Sequence, residues 1–102
     1  MGQYYLVVNK TKKQYLKPHN LNDGAKFMEL VGGTTPQVMA FLMVQSDGEG
    51  GGDGNRQLSL RGSWAGDNIT IVGDYDSSNL YSNAREDYEN ISLEALEQFE
   101  QL

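Results

Sequence analysis

The chain has 102 residues, a net charge of −6, 38% hydrophobic residues, 12 glycines and no cysteine. A chain of this size carries one domain. The lack of cysteine excludes disulfides, thiolate metal sites and thiol nucleophiles, and fits a reducing, cytoplasmic compartment. No apolar run approaches the ~18 residues of a membrane span, and no signal-peptide pattern opens the chain.

The charge is uneven. Residues 1–26 carry five lysines against the single acid Asp23, whereas residues 27–102 carry three arginines against thirteen carboxylates. Direct nucleic-acid binding is therefore disfavoured. A protein partner with a basic surface suits the acidic remainder.

Gln3–Val8 is rich in Tyr and Val and predicts a strand. Asn9–Lys13 predicts its turn and Gln14–Lys17 the returning strand, ended by Pro18. Lys10–Lys17 is the basic surface candidate, read as a solvated hairpin turn. Asn20–Val31 predicts a helix, with Phe27, Leu30 and Val31 as its core stripe and Gly32-Gly33 as its stop. Thr34-Thr35-Pro36 predicts a second start, with Thr35 as cap and Pro36 at the first helical position. The apolar run Val38–Val44 follows. Periodicity does not separate a buried helix from a buried strand there; the Thr-Pro start, two methionines and an alanine favour a helix.

Ser46–Asn55 is a Gly-rich stretch predicting a flexible loop. Its acids Asp47, Glu49 and Asp53 are hard oxygen ligands, but a calcium hand begun at Asp47 would need its bidentate acid at Leu58. No Gly-Lys-Ser/Thr follows, so a phosphate loop is excluded. No metal or cofactor is assigned. Gln57–Arg61 alternates like a half-buried strand and predicts pairing with Asn68–Val72 across a turn at Trp64, the single tryptophan. Residues 74–90 read as polar and irregular. Ser92 predicts the cap of a last helix, with Ile91 and Leu96 as a staple and Leu93, Leu96 and Phe99 as the buried stripe. The order β-β-α-α-β-β-α predicts a single α+β domain, a small antiparallel sheet with helices on one face.

Several segments together resemble a family of small proteins of unassigned activity, found in bacteria, phages and some microbial eukaryotes. They are Met1–Lys10, Gln14–His19, Asp23-Gly24 and the stretch Gly62-Ser-Trp-Ala-Gly-Asp…Ile71-Val-Gly-Asp-Tyr-Asp76. The resemblance implies one compact domain and carries over no functional residue.

Among candidate residues, His19 is the single histidine, and no nucleophile elbow exists to use it; it reads as a hydrogen-bonding loop residue. Asp67, Asp74 and Asp76 could share a proton or hold a divalent cation, or could serve as turn caps beside glycine. Trp64, Tyr75, Tyr81 and Tyr88, with Tyr4, Tyr5 and Tyr15, could form an aromatic contact surface or complete the core. Glu94 and Glu97 repel each other at i, i+3, and Glu97 lies where the helix dipole disfavours anions. That face predicts either the protein's own lysine turn folded against it or a basic partner. The expected function is a non-enzymatic interaction protein that blocks or sequesters another macromolecule, such as a phage-encoded inhibitor of host defence or an immunity protein. A nucleotide-like ligand near Trp64 and the Gly-rich loop is the alternative. A metal-dependent hydrolase using the three aspartates ranks below both.

Overall fold

A computed structural model describes residues 2–48 and 50–102. Glu49, considered above as a metal ligand, lies outside the described residues. The chain runs β1 (Tyr5–Asn9), β2 (Gln14–Leu16), a 3-10 turn (Pro18–Leu21), α1 (Phe27–Val31), α2 (Thr34–Met43), β3 (Ile69–Gly73), α3 (Leu80–Asp87), β4 (Glu89–Asn90) and α4 (Ser92–Phe99). The α+β class is as expected. The four strands lie in the order β3-β1-β2-β4. β1 pairs antiparallel with β2 and with β3, while β4 adds to β2 in parallel over two residues.

Strand alternation divides the core between the two faces of the sheet. Val7 and Leu16 point to one face, where they pack with Val38, Phe41 and Leu42 of α2, Ile91, and Ala95 of α4 around Trp64. Leu6, Val8, Tyr15 and Val72 point to the other, against Ala84 of α3 with Leu80, Tyr81 and Tyr88. Thus α2 and α4 share a face while α3 covers the opposite one, which corrects the expectation of helices on one face only.

Residues 36–43 are helical, and the start of α2 is capped from a distance. Asp23 accepts from Thr34 N (2.9 Å), Thr35 N (2.6 Å) and Thr35 Oγ1 (2.5 Å). These bonds satisfy amides that have no partner inside the helix. The N-cap position is Gly33, not Thr35. A Cβ on Gly33 would lie 2.1 Å from Asp23 Oδ1, so glycine lets the carboxylate approach.

Further expectations are corrected. The helix over 20–31 is a 3-10 turn and a separate five-residue α1. In α1 Leu30 is buried, while Phe27 is 48% exposed and Val31 is exposed too. Residues 74–90 hold α3 and β4 rather than irregular chain. In α4, Leu93 is 67% exposed, and the buried positions are Ser92 and Ala95, flanked by half-buried Leu96 and Phe99. Ser92 is not the N-cap: its Oγ accepts from Lys17 N (2.7 Å) and donates to Asn90 Oδ1 (2.6 Å), tying α4 to the end of β2.

Another correction concerns the sheet. Residues 57–61 form turns, not a strand, and β3 pairs with β1 instead. The amides that follow are committed elsewhere. Gly62 N donates to Phe41 O (2.9 Å) and Trp64 N to Leu42 O (2.8 Å), closing carbonyls in the last turn of α2. Leu58 and Leu60 still reach the core, which accounts for their alternation.

Candidate functional site

The missing strand leaves β3 as an edge. Lys10 N donates to Asn68 O (2.9 Å) and Asp74 N to Tyr4 O (2.8 Å) at the two ends of the β1–β3 ladder. With Leu6 opposite Val72 and Val8 opposite Thr70, residues 68, 70, 72 and 74 are the ones bonded to β1. The N–H and C=O groups of Ile69 and Ile71 therefore point away from the sheet, as does the Gly73 N–H. The Gly73 carbonyl already accepts from Asp76 N (3.0 Å). Ile71 is 36% exposed.

A groove of about 420 Å³ runs beside this edge. Thr70, Val72, Tyr75, Asp76 and Leu80 line it, with Lys10 at one end. Tyr75 is 62% exposed and its hydroxyl donates to Gly2 O (3.3 Å). The far wall is built by a turn that leads into α3: the Asp76 carboxylate accepts from Ser78 N (2.9 Å) and from the Ser78 hydroxyl, and Ser78 Oγ accepts from Leu80 N (3.3 Å). The Ser78 hydroxyl bond first, then its amide, holds the Asp76 carboxyl below the ordinary range, helped by the charge of Lys10. Asp76 thus remains an anion at the rim of the groove. Asp74 stands next to it, exposed, with one oxygen accepting from Tyr4 N (3.0 Å).

Asp74, Tyr75 and Asp76 are therefore brought together at the β3 edge. Asp67 is not with them. It lies seven residues before Asp74 along a chain that is mostly strand, roughly 20 Å at ~3.3 Å per residue. That separation rules out a shared metal or proton between the two. Asp67 instead accepts from Asn9 Nδ2 (2.8 Å) and pairs with Lys12 Nζ (2.6 Å). The Asn9 amide, then the Lys12 ammonium, lowers its pKa. Among the described residues, no group of three or more His, Asp or Glu side chains could hold a metal ion.

Trp64 is 0% exposed, and its ring N–H donates to Gln14 Oε1 (2.7 Å). It is a core residue with its one polar group satisfied, which removes it from any contact surface and removes the basis for a ligand site built on it. Tyr88 is half-buried against the second core cluster. Glu94 and Glu97 are exposed on α4, which follows β4 at the opposite edge of the sheet from β3. Among the described residues no ion pair joins them to the lysine turn, whose Lys12 pairs with Asp67.

Two residues already considered, Lys17 of the basic patch and His19, gather with Tyr81 and with Arg85, which sequence reasoning left aside. Lys17, His19 and Arg85 line a cleft of about 190 Å³ together with Tyr4 and Tyr5. The Arg85 guanidinium lies 5.9 Å from the Tyr81 ring centre. Burial raises the Tyr81 pKa, against the opposing charge of Arg85. The Lys17-Pro18-His19 run, in which Pro18 is buried and His19 exposed, hinted at part of this cluster; Arg85 arrives from far along the chain. Among the described residues no helix is long and apolar enough to cross a membrane. No family model, curated protein or solved structure matches the chain.

Proposed function

We propose that this chain is a non-enzymatic interaction module that takes up an extended, basic segment of another protein along the open edge of β3, and so blocks or sequesters it. The observation that carries this reading is the outward-facing backbone of Ile69 and Ile71 beside the groove of Tyr75 and Leu80. An added strand would take up those N–H and C=O groups, and alternate side chains of the segment would enter the groove. Edge strands are usually blunted because they template such pairing. Here Lys10, Asp76 and the Gln3 side chain stand beside the edge, and none of them is a proline or a bulge. The basic character of the partner follows from the net charge of −6 and from Asp76 at the rim.

Two proline substitutions test the reading. In Ile71→Pro the lost N–H is one that faces solvent, so no ladder bond breaks and the fold survives. In Thr70→Pro the lost N–H is bonded to β1, and the sheet is disrupted. The expected result, by isothermal titration against a partner isolated from the native host, is that Ile71→Pro retains a cooperative melt yet loses binding. Undiminished binding by a folded Ile71→Pro protein would exclude β3 as the interface.

A further inference from the structure

We propose that the cleft between β1, the 3-10 turn and α3 is a second binding site, one that holds a phosphomonoester. The inference is independent of the β3 edge. Its basis is a local reversal of charge: in a chain with fourteen acids and eight Lys and Arg residues, the cleft gathers Lys17, His19 and Arg85 with no carboxylate on its walls. Among the described residues the sole ion pair is Lys12–Asp67, so the charges of Lys17 and Arg85 are not matched by salt bridges there. Asp74 lines the neighbouring cleft with Glu86, Tyr81 and Arg85 itself. Its carboxylate accepts from Tyr4 N.

The site is held by its surroundings. Lys17 N is fixed to Ser92 Oγ (2.7 Å), Pro18 locks the next residue, and His19 sits in the 3-10 turn. Arg85 projects from the last turn of α3, close to the Tyr81 ring. A guanidinium can donate two parallel bonds to phosphate oxygens, and an ammonium adds a point charge. The remaining walls are aromatic: Tyr4, Tyr5 and Tyr81. Flat tyrosine rings suit the organic group of an ester rather than a bare ion. A volume of about 190 Å³ is below that of drug-sized pockets and suits a phosphate with a single ring rather than a dinucleotide.

The test is a nuclear magnetic resonance titration of the whole chain with phenyl phosphate, inorganic phosphate and phenol. Phenyl phosphate is expected to produce saturable shifts at the Tyr4, Tyr5 and Tyr81 rings and at His19. Inorganic phosphate should bind several-fold more weakly and phenol not at all. Arg85→Gln and Lys17→Gln, both at surface positions, should each weaken phenyl phosphate about tenfold, as loss of a bond to a charged group does. Lys13→Gln, in the hairpin turn, should leave binding unchanged. Absence of saturable shifts would overturn the proposal, as would equal weakening by Lys13→Gln, which would mean diffuse attraction. Inorganic phosphate binding as tightly as phenyl phosphate would overturn the assignment to an ester.

Discussion

At the scale of single residues, the three aspartates around β3 divide between turn bonding and long-range bonding. Asp76 bonds its own turn two residues on, and Asp67 and Asp74 each take hydrogen bonds at the ends of β3. What the sequence does not disclose is the partners, because Lys12 is 55 positions from Asp67 and Tyr4 is 70 from Asp74. The same holds for Asp23, whose acceptors close the start of α2 from eleven residues away. A pH prediction follows from Asp67. Its carboxyl is held below the ordinary value in the folded chain by the Asn9 amide and the Lys12 ammonium. The folded state therefore binds this proton less tightly than the unfolded one. The resulting stability is fully present above the unfolded value of about 3.9 and is lost as pH falls through the lower folded value. Thermal melts from neutral pH down through that window should show the wild-type chain losing stability more steeply than Asp67→Asn. Parallel losses in the two proteins would mean that the Asn9 and Lys12 contacts contribute nothing.

At the scale of elements, alternation and periodicity located apolar residues correctly but did not always name the structure that buries them. Leu58 and Leu60 alternate like a strand, yet they reach the core from turns. The reason is tertiary: Gly62 and Trp64 close the end of α2, and a Cβ on Gly62 would stand 2.6 Å from Val44 O. Gly62 also has a φ of 71°, in the left-handed region that glycine enters freely. A chain held this way cannot lie flat against β3, and the edge opens as a result. In α4 the buried line passes through Ala95 rather than Leu93, because Ser92 is pulled inward by Lys17 N and Asn90. The carboxylates of that helix face solvent, so reversing them should be nearly neutral. Glu97→Lys improves the dipole near the C-terminus, and Glu94→Lys worsens it in the first turn, each by about 0.3–1 kcal/mol. Opposed terms of that size should leave the melting temperature of the double variant within a few degrees, as differential scanning calorimetry would read. A loss above about 10 °C would mean that an internal basic group had been paired with this face.

At the scale of the whole molecule, the short sheet has two unequal edges. One is the two-residue β4, tied to α4; the other is the five-residue β3, with its ladder groups facing outward beside a tyrosine-lined groove. The α+β class and the first hairpin were legible from composition and pattern. The edge was not, since its existence depends on a strand that fails to form. Association at β3 would bury the mixed polar and apolar groove and satisfy backbone groups together, which is how strand addition gains affinity. Amide hydrogen exchange tests this most directly. In the free chain Thr70 and Val72 should exchange slowly and Ile71 fast, because only the first two donate to β1. With a bound partner the Ile71 amide should become as protected as its neighbours. An Ile71 amide already protected in the free chain, or one that stays fast in the complex, would contradict binding by strand addition at β3.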